Sequence, residues 1–440
     1  MTRHAGRNAG PRPAVDQIRP GPWSSSLVDR VQKAALFVIS PDGHMDDPGL
    51  YAALALLRAE APVYRVECPG MRPFWLVTRY ADVAAVEARG APFIAAPRSV
   101  LSSDAGEASM RQISGKPDLL RSLFQMDDPE HRVYRDITRA WFSQSGIAGL
   151  QGLVADSARH IVERIPGSGD VFDFARNVAV PFPLRIMMHI LGLPETVDPL
   201  ILKLARGLTG AEDPDRALSE RPAESMRLAA IGFRTYFDKV TTARRRRPGT
   251  DLSSAIANAR IGDKPIPDYE RLSYFMQLAI AGQENTAYSI AGGVHALIEH
   301  PGQMAKLGSN PELLDTAVEE ILRWTSPGRH LVRTATIDTA IGGQRIRAGE
   351  SVALFFNSAN RDDAVFASAD TFQVDRQPNP HLAFGSGPHF CLGVHLARLE
   401  LRSVFAALLP MLPRMTLAGT PRRARSAVIS GISSLPLRCV

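Results

Sequence analysis

Cysteine is scarce in this chain, and long apolar runs are missing. Only three cysteines, Cys68, Cys391 and Cys439, occur among 440 residues, and they lie far apart. Thiols this few and this scattered exclude a disulfide framework and predict a reducing, cytoplasmic location. No run reaches the roughly 18 apolar residues that a membrane-spanning helix needs, so the sequence predicts no span.

Other absences limit the number of domains and the kind of cofactor. Residues 1–30 lack the apolar centre of a secretory signal, and we predict a mobile tail there. No linker rich in Pro, Gly or Ser divides residues 31–440, which we expect to form one domain. The Gly-x-Gly-x-x-Gly fingerprint of dinucleotide sites does not occur, so electrons for any redox chemistry must come from separate proteins.

The net charge of +6 raises the question of a nucleic-acid partner. The densest basic run, Arg244–Arg247, stands directly before Pro248-Gly249 and is interpreted as a solvated loop. Because no recognised binding motif accompanies this charge, we predict no nucleic-acid binding. An acidic protein partner fits the positive excess better, through electrostatic complementarity.

Most of the chain shows helical periodicity, and a smaller part shows strand patterns. Helices are predicted at about 50–60, 80–89, 128–142, 150–165, 182–192, within 200–260, and at 315–324 and 392–408. Strands are predicted at 74–78, 330–336, 343–346, 351–356 and 432–437. Residues 95–120 have no clear period and are predicted to form a long loop. The fold class is therefore mainly α with a minor β portion.

A long central helix is predicted from Asp268 to His300, ended by Pro301. Its middle, residues 278–286, changes abruptly from small apolar residues to the polar group Gln283-Glu284-Asn285-Thr286. From periodicity alone, Glu284 is assigned to a solvated face. In the same way, Glu320 and Arg323 in the following helix are interpreted as a surface ion pair three residues apart.

The stretch from Phe384 to Gly393 combines three glycines, one proline and a single cysteine, directly before an amphipathic helix. Unpaired backbone N–H groups at a helix start favour the thiolate form of Cys391. Several readings of this cysteine stay open on these residues alone. It could be an inert buried thiol, a zinc ligand with His381, His389 and His395, a nucleophile paired with His389, or the axial ligand of haem iron.

The pattern Phe384-Gly-x-Gly-x-His-x-Cys-x-Gly, continued by Leu396-Ala397-Arg398, resembles the haem-binding signature of the cytochromes P-450. The resemblance extends over the chain from about residue 45 onward and rests on a very specific ten-residue motif. It implies the cytochrome P-450 fold, with haem b between the long central helix and the cysteine loop. It also implies that Cys391 is the proximal, metal-binding ligand of the iron.

The resemblance assigns further roles residue by residue. Gly282, Glu284, Asn285 and Thr286 match the family's oxygen-activation motif and are the candidate catalytic residues. His131, Arg135, Arg333 and His389 match positions that bind the haem propionates. Glu320 and Arg323, completed by Arg376, match a buried core network of the family. One departure stands out, because Asn285 occupies the usual threonine position, and an amide is no practical proton relay.

The implied activity is that of a monooxygenase, which inserts one oxygen atom from O2 into a small-to-medium hydrophobic substrate. Terpenoid, aromatic, fatty and steroid-like compounds all fit, and two electrons would come from a ferredoxin and its reductase. Alternatives are a peroxide-driven oxygenase of the same fold and a haem-thiolate ligand binder without turnover.

Candidates for the basic docking face are Arg132, Arg139, Arg398 and Arg402. The substrate lining is expected from residues 95–120, 182–240, 278–286, 328–332 and 429–433.

Overall fold

The computed structural model describes residues 26–88, 92–115, 119–167 and 169–440. Of the predicted N-terminal tail, residues 1–25 lie outside these ranges, and the first helix starts at Leu27. Arg89, the predicted end of a helix, also lies outside them. Within the described part of the chain, no helix is both long and apolar enough to cross a bilayer.

Helices make up most of the structure. They are α1 (Leu27–Ile39), α2 (Asp47–Glu60), α3 (Tyr80–Ala88), α4 (Asp104–Ser114), α5 (Glu130–Phe142), α6 (Gln144–Ala148), α7 (Gln151–Glu163), α8 (Pro181–Ile190), α9 (Asp198–Thr209), α10 (Pro222–Arg246), α11 (Leu252–Ala257), α12 (Asp268–Ala281), α13 (Glu284–Glu299), α14 (Pro301–Ser309), α15 (Leu314–Thr325), α16 (Phe356–Ala359) and α17 (Val394–Leu408). This confirms the mainly helical class that the periodicity predicts.

The strands are short and form a minor part. They are β1 (Val63–Val66), β2 (Phe74–Val77), β3 (Phe93–Ile94), β4 (Val171–Asp173), β5 (Arg260–Ile261), β6 (Lys264–Pro265), β7 (His330–Ala335), β8 (Thr339–Ile341), β9 (Gln344–Ile346), β10 (Ser351–Phe355), β11 (Met415–Leu417), β12 (Arg422–Arg423), β13 (Ile432–Ser434) and β14 (Pro436–Cys439). The predicted strand at 432–437 is in fact two strands, β13 paired with β12 and β14 paired with β11 and β4.

A five-stranded sheet in the order β1-β2-β10-β7-β3 forms one side of the fold. β10 runs parallel to β2, with Val352 opposite Trp75, and antiparallel to β7, with Val352 opposite Arg333. Alternation along the strands sends Val332 and Ala353 to the face covered by α1 and α2, and Val352 and Leu354 to the other face. This register fixes Arg333 on the sheet, and the chain after β10 leads towards the cysteine loop.

The predicted central helix is interrupted. It consists of α12, which ends at Ala281, and α13, which begins at Glu284. At the break the Gly282 N–H still bonds to the Leu278 carbonyl, whereas Gln283 has φ −121° and ψ −49°, outside regular helix. Both halves run through the largest apolar core, where Phe275, Ile290 and Val294 are buried. The prediction of one unbroken helix was wrong at the polar group that the sequence had marked.

The predicted long loop at 95–120 also needs correction, because α4 forms inside it. Ser103 caps the start by accepting from the Gly106 N–H, and Gly115 ends the helix in the left-handed conformation, with φ +72°. Both cap residues are visible in the sequence. The Ser and Gly content that suggested a loop marks the two ends of this helix.

Candidate active site

The cysteine loop packs directly against α3. The Cys391 N–H donates to the Phe384 carbonyl at 3.0 Å, which closes the loop on itself. Gly385 and Gly387 have φ of +66° and +63°, a conformation that residues with a Cβ rarely adopt. A Cβ on Gly387 would also clash with the Glu87 carbonyl oxygen. Glycine at this position therefore allows the loop to approach α3 and fixes where Cys391 lies.

Burial decides the protonation tendency of the Cys391 thiol. It raises the pKa of the thiol, while the Gly393 N–H and the cations Arg135 and Arg398 oppose that rise. In the protein part alone, desolvation opposes the expected thiolate form of Cys391. The helix α17 begins only at Val394, three residues beyond the cysteine, so its first-turn N–H groups do not outweigh desolvation. A bound cation at sulfur would reverse the balance.

Four basic side chains predicted from the family pattern converge around this loop. The His131 and His389 rings lie 4.4 Å apart between centroids. The Arg135 Nη2 donates to the Phe390 carbonyl at 2.6 Å, directly beside Cys391. Arg333, on β7, lies 2.7 Å from the Glu87 carboxylate. The structure thus brings together residues that are up to 258 positions apart in the sequence.

The electrostatics of this basic cluster favour an added anion. Burial, and then Arg333, His131 and Arg135, lower the pKa of His389 to about 3. Burial and Arg135 likewise lower the pKa of His131, whose Nε2 is buried without a hydrogen-bond partner. The Arg135 and Arg333 guanidiniums, and a His131 nitrogen without a partner among the described residues, suit a ligand that carries carboxylates, and haem b carries two. The residues present therefore fit haem b.

The positions of the histidines correct two interpretations made from the sequence alone. His131 is 3% exposed and is not a helix-surface residue. No group of three or more His, Cys, Asp or Glu side chains suited to a metal ion exists among the described residues, so the zinc reading of the loop has no support. His381 instead contacts Glu319 at 3.2 Å, and His395 is exposed.

Glu284 is buried, contrary to the solvated position assigned from periodicity. Its side chain is 8% exposed and forms an ion pair with Arg216. The Thr209 hydroxyl donates to Glu284 Oε1 at 2.8 Å, and Arg216 also donates to the Tyr288 hydroxyl at 2.9 Å. The second carboxylate oxygen, Oε2, is buried and has no partner. One oxygen of this carboxylate is therefore held by a cation, and the other is open to a further donor.

The neighbouring candidates have different surroundings. The Asn285 Oδ1 is buried and has no hydrogen-bond partner among the described residues, and a Cβ added at Gly328 would lie 4.0 Å from that oxygen, an ordinary contact distance. The Thr286 hydroxyl is used elsewhere, since it bonds to the buried Glu400 carboxyl, whose pKa burial raises well above its usual value. Gly282 lies against Met187, and a side chain there would overlap that methionine.

Glu320 and Arg323 are completely buried, so their reading as a surface pair was wrong and the family-based expectation is met. Arg323 donates to both Glu320 oxygens, at 2.7 and 2.8 Å. Arg376 Nε adds bonds to the same carboxylate at 3.0 and 3.2 Å. Arg323 also donates to the Asn360 and Ala369 carbonyls, both at 2.8 Å. This network holds the segment that leads into the cysteine loop.

Sequence reasoning missed several residues that complete the site. Tyr288 could have been found, because it stands four positions after Glu284 on the same helix face. Thr209 and Arg216 gave no signal, since they are 75 and 68 residues from Glu284. Glu87 gave none either, because its partner Arg333 lies on a distant strand.

Comparison with known proteins agrees with this geometry. The family model described as Cytochrome P450 matches residues 237–412. Cytochrome P450-terp of Pseudomonas sp is 37% identical over 410 residues, 91% of this chain and 96% of that protein. The crystal structure of CYP108D1 from Novosphingobium aromaticivorans has a TM-score of 0.85 at 36% identity, with 93% of this chain and 98% of that one covered. CYP268A2 of Mycobacterium marinum, in complex with pseudoionone, has a TM-score of 0.83 at 30% identity, with 98% of this chain and 100% of that one covered.

A helical fold with one short-stranded wall and a lone cysteine in a glycine-rich loop among cations defines a haem-thiolate protein. The relatives make the assignment specific, and the chain belongs to the cytochrome P450 family. It is a haem b monooxygenase that acts on a hydrophobic substrate with O2 and electrons from redox partners.

Proposed function

We propose that Cys391 ligates the haem iron and that His131, Arg135, Arg333 and His389 hold the two propionates. The observation that carries this assignment is the convergence of these four basic groups on the loop of one cysteine. When bound, haem b supplies oxygen activation at iron, which thiolate donation assists. The protein supplies the sulfur, the cations that fix the orientation, and a largely buried setting.

Proton supply is the proposed task of Glu284. Its carboxylate faces the cleft that contains Arg216, and the Thr209 hydroxyl offers a contact on the same side. Oε2 is free to take up a proton, and Arg216 steadies the ionised form. Asn285, with its unpartnered Oδ1, holds a water molecule or a polar group of the substrate. Thr286 is already bonded to Glu400 and does not replace the usual threonine.

The proposed substrate is a small-to-medium hydrophobic compound of the terpenoid, aromatic, fatty or steroid-like type. The support comes from relatives, one named P450-terp and one solved with pseudoionone. Residues 328–332 are among the segments expected to line the site, and Gly328 lies near the Asn285 Oδ1. A substrate with an apolar body and one polar group near Asn285 fits these surroundings best.

A ferredoxin with its reductase is the proposed electron source. The docking candidates Arg132, Arg139 and Arg402 are well exposed, at 76%, 72% and 62% of their side chains. Each also contacts a carboxylate, so docking would exchange that partner for one on the ferredoxin. Arg398 is held by two bonds to Glu319, at 2.8 and 2.7 Å, and is the weakest candidate.

Three unpaired cysteines support a cytoplasmic location.

Screening hydrophobic compounds for a shift of the haem absorption band selects candidate substrates. Turnover with reduced ferredoxin and isotopically labelled O2 then tests the activity. One labelled oxygen atom per product molecule is expected. Equal turnover with peroxide and no turnover with ferredoxin would favour the peroxide-driven alternative. A band shift without any product in either system would favour a ligand binder.

A further inference from the structure

A cleft opens on the solvent side of the break between α12 and α13. It contains about 540 Å³ of empty space, part of it open to solvent. Its lining includes four arginines, Arg176, Arg206, Arg216 and Arg422. Glu284 closes one end of this space, which we call the arginine cleft. The family resemblance assigned no role to the arginines that line it.

Three of the four arginines have acidic partners. Arg216 pairs with Glu284, Arg422 pairs with Asp215, and Arg176 lies 3.4 Å from Asp173. The remaining acid of the lining, Asp213, accepts backbone N–H bonds from Asp215 and Arg425. These groups largely neutralise one another, so they leave little charge for a ligand to meet.

Arg206 is different, since no hydrogen bond or ion pair joins its guanidinium to any residue that the structure describes. The side chain is half-buried on α9. Burial, and then the neighbouring Arg216 and Arg176, lower its pKa, while Tyr288 and Glu284 act in the opposite direction. A guanidinium that is partly removed from water and faces other guanidiniums is stabilised by any anion that can reach it.

Gln283 supplies a second, independent sign of a ligand site in the same cleft. Its side chain lines the cleft and is 2% exposed, yet neither Oε1 nor Nε2 has a hydrogen-bond partner. A buried amide with both atoms unsatisfied is rare in proteins, because each unmade hydrogen bond costs about 1–3 kcal/mol. Its NH2 group adds a donor to those of Arg206, and its carbonyl can accept from a ligand hydroxyl.

We propose that the arginine cleft binds a small oxyanion, a carboxylate or a phosphate ion, with Arg206 and the Gln283 amide as its ligands. The planar fork of arginine matches two oxygens of such an anion. Binding there does not depend on the roles proposed for the haem ligands.

Calorimetric titration of the holoenzyme with inorganic phosphate and with acetate, at constant ionic strength set with chloride, tests the site. Saturable binding of one anion per chain is expected. Arg206→Gln should weaken it at least tenfold, and Gln283→Leu several-fold. Arg159→Gln is the matched control, because Arg159 is an exposed arginine outside the cleft and should leave affinity unchanged.

Folding of each variant is checked by far-ultraviolet circular dichroism and by haem absorbance. If Arg206→Gln fails to fold, Arg206→Lys and Gln283→Leu carry the test, and both should weaken binding. Absence of saturable binding by either anion would overturn the proposal. So would equal affinity in the wild type, Arg206→Gln and Gln283→Leu, since the anion would then lie elsewhere.

Discussion

Removing both members of the Glu284–Arg216 pair is predicted to destabilise the protein by less than the sum of the two single removals. The side chains are 8% and 7% exposed, so a lone charge left at this place is poorly solvated. Arg216→Met strands the Glu284 carboxylate with the Thr209 hydroxyl as its donor, and we expect a loss of about 3–5 kcal/mol. Glu284→Gln keeps the shape but removes the charge partner of Arg216, and we expect a loss of about 1.5–3 kcal/mol.

The double variant carries neither charge, so its loss should fall short of the sum by about 2–3 kcal/mol. Urea unfolding of the four holo-proteins at pH 7, followed by circular dichroism, gives this coupling energy. The exposed pair Arg227 and Glu224, with an N–O distance of 2.7 Å, is the matched control, and its two substitutions should be additive. Additivity at Glu284 and Arg216 within about 0.5 kcal/mol would refute the reasoning.

Three further predictions concern the cysteine loop and the distal residues. Partners Arg398 and His381 lower the pKa of Glu319 from 4.5 to about 2, which corresponds to about 2–3 kcal/mol of stability after allowance for partial exposure. This contribution is fully present above pH 4.5 and is lost as the pH falls towards 2, so Glu319→Gln should cost that amount in urea unfolding at pH 7 and less at pH 3.5. Gly387→Ala should lower the haem-to-protein absorbance ratio, because the added Cβ would clash with the Glu87 carbonyl oxygen, in addition to about 1–2 kcal/mol for left-handed backbone. Asn285→Thr should change product formed per O2 consumed by less than about tenfold.

Matched variants separate the causes. Gly349 has φ +85° but open space around it, so Gly349→Ala carries the backbone strain without the clash and should retain haem. Thr286→Val should alter coupling little, because the Thr286 hydroxyl is bonded to Glu400. A larger effect from Thr286→Val than from Asn285→Thr would contradict the assignment of the two residues. An unchanged stability difference for Glu319→Gln across this pH range would contradict the linkage argument.

Local features of the site could be predicted from the sequence because they depend on residues that are adjacent in the chain. The spacing of its glycines identifies the cysteine loop in the sequence. The positive φ of Gly385 and Gly387 explains why glycine stands at these positions. The helices were found for the same reason, since their apolar period repeats every few residues. The family pattern added His131 and Arg333 to the candidate site.

Long-range pairing is what local reasoning could not supply. Glu284 looked solvated because nothing near it in sequence is a cation, and its partner Arg216 lies in the chain between α9 and α10. The sequence predicts that Glu320 is one member of a surface ion pair. In the structure, Arg376 and the surrounding carbonyls enclose the pair. Gly282, at the break of the central helix, packs against Met187, a tertiary contact without a local signature.

The central claim is that the sulfur of Cys391 binds haem iron. The most direct measurement is the difference spectrum of the purified holo-protein, reduced and exposed to carbon monoxide, with Cys391→Ala as the comparison. The account predicts the absorption band of a thiolate-ligated haem in the wild type and its loss in the variant. A wild-type spectrum of nitrogen-ligated haem, or the same band in Cys391→Ala, would contradict it.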